Sequence, residues 1–256
     1  MDMPVTNGGK YNNFGIHGVG VTNAADCLTA IKRYVFDEKS ITKRKLIEAV
    51  DNDFNGYAEL LHKLRYETPK VGQNDEVADG FLVELIDAFS DSLDGKTNCR
   101  GGKFRAGTGS AMYYLWHANE IGASPDGRRK GEPLGANFSV SLFALTNGPF
   151  SVVESLTKPN FTKAMNGGPV TLEFSADMWK GEDTKNKFAR FIKTYIAMGG
   201  HQIQLNSVNL QTLKDAKIHP EKYERLIVRI WGWSAYFVEL DEEFQDHVMA
   251  RREYSV

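Results

Sequence analysis

Leu226-Ile-Val-Arg-Ile-Trp-Gly-Trp-Ser-Ala-Tyr-Phe-Val-Glu239 is a run of β-formers interrupted once, at Gly232, which stands between Trp231 and Trp233. The pattern predicts a strand over Leu226 to Ile230, a tight turn at Gly232 and a second apolar run from Ala235 to Leu240. Exposed turns usually carry Asn, Asp, Ser or Pro. A glycine flanked by two tryptophans therefore predicts a turn buried against a core, where only a residue without Cβ fits. On these residues alone, a packing glycine is the simpler reading.

Moving outward, a helix is expected over about 242–252, burying Phe244, Val248 and Met249. Upstream, a strand over His201 to Val208 and a helix over Leu210 to Lys217 precede the organising stretch. A helix at about 183–198 turns Phe188, Phe191, Ile192, Tyr195 and Ile196 inward and stops at Gly199-Gly200. From Phe138 to Phe174, short apolar runs alternate with Gly, Pro and Asn turns and read as several strands. Gly122 to Arg129 is a turn around Pro125-Asp-Gly127, and its Arg128-Arg129 pair could hold a carboxylate or phosphate, although a surface basic pair is usually solvated. Lys103 to Trp116 reads as a glycine-punctuated strand. Before it, helices are expected at about 24–37, 42–51, 54–66 and 75–93, the last with Val77, Phe81, Leu82, Leu85, Ile86 and Phe89 at helical spacing. Asn23 is a plausible N-cap of the first helix, with Asp26 placed to favour its dipole. The glycine-rich segment 7–23 lacks the third glycine of a dinucleotide fingerprint, and its His17 reads as a hydrogen-bonded structural residue.

The composition, 41% hydrophobic and 25% charged over 256 residues, is that of an ordinary globular protein. A net charge of −2 gives no electrostatic reason to expect nucleic acid or an anionic membrane as partner. The N-terminus lacks a signal-peptide core and no stretch reaches membrane-spanning length, so a cytoplasmic protein is expected. Two isolated cysteines, Cys27 and Cys99, suit neither a disulfide framework nor a metal site, and no metal is expected.

Arg229-Ile-Trp-Gly-Trp-Ser234, followed by Phe237-Val-Glu-Leu240 and Gln245-Asp-His-Val-Met-Ala-Arg251, resembles the C-terminal signature of glycyl radical enzymes. That signature is Arg-Val-x-Gly-aromatic-Ser/Thr, an apolar run, then Gln-Asp and a basic residue. The resemblance continues, in the family's order, through Asn23 to Lys32, Lys103 to Gly107, Gly122 to Arg128, Asn166-Gly-Gly168, Gly199 to Asn206 and His219 to Tyr223. It implies an α/β fold, the C-terminal part of a ten-stranded β/α barrel, with 1–102 a mainly helical partial barrel region and 103–256 the glycyl-radical domain.

It also implies that Gly232 carries the radical. Loss of hydrogen from Gly Cα leaves a centre flanked by an electron-donating amide nitrogen and a withdrawing carbonyl, free to flatten because no side chain opposes it. Such a radical needs a dry site, which the tryptophans and the apolar strand are expected to supply. The radical would be installed by an activating enzyme using S-adenosylmethionine and an iron–sulfur cluster, with no cofactor resident in this chain. Arg229, Trp231, Trp233 and Ser234 would form its docking loop.

In the family the segment equivalent to 103–116 approaches the active-site cavity. The resemblance therefore implies Ser110, Met112 and Tyr114 as substrate-pocket residues, although sheet packing is what the residues alone favour. The tryptophans and the Gly199 to Asn206 stretch look closer to arylacetate decarboxylases and hydroxyproline-dehydratase-like members than to pyruvate formate-lyase, so lyase chemistry is implied. Family members pass the radical to a cysteine in a Cys-x-Glu motif in most branches. Here Cys27 and Cys99 are followed two residues on by Thr29 and Gly101. The expectation is the C-terminal portion of such an enzyme, working with the remaining barrel or a complementary chain and forming a homo-oligomer when whole. A stand-alone spare-part subunit and a non-catalytic interaction module are the alternatives.

Overall fold

The computed structural model describes residues 10–110, 113–176, 182–230, 232–251, 253 and 254. Its N-terminal part is helical. β1 (Phe14–Gly18) leads into α1 (Val21–Ile31), which continues as a wider π turn over Lys32–Asp37. α2 (Lys43–Asp51) is capped by the Thr42 side chain, α3 (Ala58–His62) runs on into a second π turn, and α4 (Glu76–Leu93) is capped by Asp75, which accepts from the Val77 and Ala78 N–H groups. All four helices fall close to the spans their apolar spacing predicts. Asn23 does not cap α1. Gly20, at φ 70°, turns the chain into the helix, and Asn23 sits inside it with its amide committed elsewhere.

β2 (Phe104–Thr108) pairs in parallel with β1, Phe14 opposite Phe104. The strand predicted over 103–116 ends there, and α5 (Tyr113–Glu120) follows, because Tyr114, Leu115 and Ala118 share one buried helical face. Of the several strands expected between Phe138 and Phe174, only β3 (Pro169–Ser175) forms. The region also holds α6 (Pro149–Leu156) and turns. Gly107 bridges to Gly167, and a Cβ on Gly107 would fall 2.9 Å from the Asn166 backbone and side chain, so only glycine permits that approach.

After α7 (Glu182–Ala197), β4 (Gln202–Val208) lies parallel to β3, α8 (Leu210–Ile218) follows, and a hairpin forms from β5 (Ile227–Arg229) and β6 (Ser234–Tyr236). α9 (Glu242–Ala250) leads to β7 (Glu253–Tyr254), which joins the other edge of β3. Parallel strands interleaved with helices make this an α/β fold. Among the described residues no helix is long and apolar enough to cross a membrane.

Three apolar clusters organise these elements. One fills the space between β3, β4 and helices α1, α4, α6 and α7, with Phe174 packed edge-on against Phe188 at 4.8 Å. A second joins α5, α8, the hairpin and α9, and a third lies among the N-terminal helices. On α7, Phe188, Phe191 and Tyr195 are buried as expected, whereas Ile196 faces outward.

Candidate functional site

The hairpin is short. Its pairs are Ile227 with Tyr236, Val228 with Ala235 and Arg229 with Ser234, and the Ile230 N–H donates to the Trp233 carbonyl at 3.0 Å. Val228, Ile230 and Phe237 are buried and anchor it to the second cluster, while Ile227 and Tyr236 face outward. Gly232 stands at the tip with φ 66°, and apart from its two chain neighbours no described residue comes within 4 Å of where its Cβ would be. The expectation of a buried turn is therefore corrected: Gly232 is exposed and Trp233 is 39% exposed. Three-residue strands carry the tip beyond the core that holds their bases. Glycine is favoured here by the left-handed backbone, not by crowding. Trp231 lies outside the described residues.

Arg229 and Ser234 meet across the hairpin, the Arg229 Nη1 donating to Ser234 Oγ at 3.3 Å while its Nε reaches Gln204 Oε1 at 3.4 Å. An open groove of about 540 Å³ runs beside them between β4, α8 and β5. Behind the tip, Arg251 Nη1 donates to the Arg229 carbonyl at 3.0 Å and Nη2 to the Ile230 carbonyl at 3.4 Å. The same guanidinium pairs with Glu173 on β3 at 2.9 Å, and Asn206 on β4 donates to that carboxylate oxygen at 2.8 Å. Sequence reading missed Glu173, and it named Arg251 only within the C-terminal signature, with no role assigned. The signal was a carboxylate set between Leu172 and Phe174, which a buried strand keeps only when it is paired.

Ser110 and Tyr114 do not alternate on a strand. Ser110 is buried just beyond β2, its N–H donating to Asn137 Oδ1 at 3.0 Å, and Tyr114 lies on α5 with its hydroxyl 2.7 Å from His247 Nδ1. Met112 lies outside the described residues. His247, named in sequence only within that signature, is pushed down to about 3 by burial and by the neighbouring Arg251 charge, so it is a neutral imidazole.

The turn at Ser124–Arg128 is a buried polar hub. Arg128, expected to be solvated, is fully buried and donates to the carbonyls of Ile121, Gly122, Arg129 and Glu132. Asp126 accepts from Asn23 at 2.7 Å, and its carbonyl accepts from the buried Lys70 at 3.0 Å. Asp26 accepts from the Val71 N–H and the Ser141 hydroxyl, and burial raises it to about 7 against the opposing pull of Lys70. Cys27, on α1, has its thiol held in the protonated form by burial and by Asp126, and Cys99 lies in an exposed loop. His17, as expected, is tied to a neighbour, Asn166. Among the described residues no group of three or more His, Cys, Asp or Glu could hold a metal ion.

Comparison with known proteins matches residues 2–116 to the pyruvate formate lyase-like family and residues 143–238, which include Gly232, to the glycine radical family. The chain is 33% identical to trans-4-hydroxy-L-proline dehydratase of Clostridioides difficile over 246 residues, covering 96% of this chain and 31% of that protein. It is 31% identical to (2S)-3-sulfopropanediol dehydratase of Klebsiella oxytoca, covering 96% and 30%. It superposes on the glycerol-bound, B12-independent glycerol dehydratase of Clostridium butyricum with a TM-score of 0.93 and 33% identity, covering 97% of this chain and 32% of that one. The chain thus spans about a third of the length of the relatives it matches. With both family patterns falling in order along one chain, which also superposes on a glycyl radical enzyme of Archaeoglobus fulgidus with a TM-score of 0.87 and 32% identity over 95% of this chain and 31% of that one, the protein belongs to the glycyl radical enzyme family.

Proposed function

We propose that this chain is the C-terminal portion of a glycyl radical lyase or dehydratase and that Gly232 stores its radical. The observation that carries the reading is the hairpin tip. Gly232 is the one residue of the Arg-x-x-Gly stretch without a side chain, it lies in the segment matched to the glycine radical family, and the space a side chain would take there is open except for its chain neighbours. An activating enzyme that uses S-adenosylmethionine and an iron–sulfur cluster would reach such a tip and remove one hydrogen atom from the Cα. Arg229, Trp231, Trp233 and Ser234 would form the surface it grips.

The same exposure argues for a partner in turnover. A carbon radical persists only where oxygen and solvent are excluded, and the described residues leave the tip open, so the cover must come from further barrel protein packed over the hairpin. That protein would also bring the cysteine that exchanges a hydrogen atom with Gly232, for which contact between the two atoms is required. Ser110 and Tyr114, both buried and hydrogen-bonded, would then support the site from behind it, and the substrate-pocket role first expected of them rests on the family resemblance alone.

Anaerobic activation followed by electron paramagnetic resonance tests the assignment. A glycine-centred doublet is expected, absent from Gly232→Ala. A doublet that survives that substitution overturns the reading.

A further inference from the structure

We propose that Arg251 is the positioning residue for the Gly232 turn and that Glu173 is its anchor, an inference that rests on the radical assignment of Gly232. Between the hairpin and the parallel sheet runs a line of polar contacts: Asn206 on β4 donates to Glu173 on β3, Glu173 pairs with Arg251, and Arg251 donates to the carbonyls of Arg229 and Ile230. Those two carbonyls belong to the residues directly before Trp231 and Gly232. Their direction fixes the path by which the chain enters the turn.

The choice of residue fits this task. A guanidinium is a planar fork whose donors can hold a carboxylate and two successive carbonyls together, whereas a lysine ammonium is a flexible point charge. Both partners are almost fully withdrawn from solvent, with side-chain exposures of 9% for Arg251 and 7% for Glu173. A buried ion pair of this kind adds little net stability over apolar packing, because desolvation offsets most of the attraction. What it supplies is registry. Here the registry is between the sheet, which belongs to the first apolar cluster, and the hairpin, which belongs to the second.

The seam is also poorly closed. Glu173 Oε2, Thr171 Oγ1 and Ser139 Oγ are buried with no hydrogen-bond partner among the described residues, and all three residues line a cavity of about 80 Å³ that Arg251 and His247 also border. Polar atoms left in such a cavity call for water, so the seam is held by a few directed bonds and not by continuous packing. Loss of the Arg251 contacts should therefore free the hairpin without dissolving either cluster.

Hydrogen–deuterium exchange on the full chain tests this without any radical. In Arg251→Gln the peptides covering 226–237 should exchange roughly tenfold faster, the loss expected for about one charge-assisted hydrogen bond, while α4 is unchanged. Arg251→Lys should restore part of the protection. A purely packing role predicts no such ordering of Arg, Lys and Gln. Glu173→Gln, which keeps the shape and one acceptor, decides the matter if Arg251→Gln unfolds the chain: it should also speed exchange in the hairpin. Unchanged hairpin exchange in Glu173→Gln, or equal exchange in Arg251→Lys and Arg251→Gln, overturns the proposal. The radical assignment fails separately, by a doublet that persists in Gly232→Ala.

Discussion

Tyr114 Oη lies 2.7 Å from His247 Nδ1, joining α5 to α9 across 133 residues in a buried, tilted ring contact. Tyr114→Phe keeps the ring and removes the bond, leaving a buried imidazole nitrogen without this partner. A loss of about 1–3 kcal/mol is expected in chemical denaturation. A change below a few tenths would show that the bond contributes nothing net.

The same histidine gives the protein an acid-side dependence. Its folded pKa is about 3 and its unfolded value about 6.5, so below pH 6.5 the unfolded chain binds a proton that the folded chain refuses. Stability is lost as pH falls through that window, by about 2 kcal/mol between pH 7 and 5. Asp26 acts in the opposite sense. Raised to about 7, it contributes stability that is fully present below its unfolded value and fades as pH rises through 7. Comparing wild type with His247→Gln isolates the histidine contribution, and the difference between the two should shrink below pH 6.5.

Gly232→Ala should fold. Apart from its chain neighbours, no described residue stands where the new methyl would go, so the cost is that of the left-handed backbone, about 1–2 kcal/mol. Thermal unfolding would show a small drop with cooperativity retained. Collapse of the fold would mean that the turn is packed after all.

Arg128→Lys should be far more damaging than its conservative appearance suggests. A single ammonium cannot hold the four carbonyls that the guanidinium now satisfies, and the variant should lose about 3 kcal/mol. Denaturant titration distinguishes this from the change within ±0.5 kcal/mol expected at a solvated arginine.

The chain by itself should self-associate. Ile227 is 60% exposed and Tyr236 41%, opposite one another on the outer face of the hairpin, and β4 is an edge strand beside an open groove. Light scattering should detect association that Ile227→Lys reduces. A monomer at high concentration would count against an uncovered interface.

The helical half of the fold was legible because its signals are local. Asp75 caps α4 where the apolar spacing begins, and that spacing survives to Leu93. The strand expected over Lys103 to Trp116 failed beyond Thr108, because Tyr113-Tyr-Leu-Trp116 has β-forming residues whose helical pairing only the α5–α9 contact reveals. Arg128 and Gly232 erred in opposite directions for one reason. Burial belongs to the tertiary structure, and neither the residue type nor its neighbours in sequence determine it. The strand, turn and second apolar run read around Gly232 correspond to the observed hairpin of β5 and β6. The Glu173–Arg251 pair behind it joins residues 78 apart, and its only local signal was a carboxylate set between Leu172 and Phe174.

The parallel pairing of β1 with β2 sets Phe14 beside Phe104 and so closes a loop of 90 residues with α1 through α4 inside it. Closing so long a segment of unstructured chain is entropically unfavourable, and parallel pairing gives no short hairpin from which to begin. Helices that form first shorten the effective loop. Folding of this region should therefore proceed from α1 packing on α4 toward the strands, with β1–β2 pairing late in the transition. Destabilising the α1–α4 contact, for example by Ala78→Gly, should slow folding, whereas a change in the β1–β2 register pair Ile16 and Ala106 should chiefly speed unfolding.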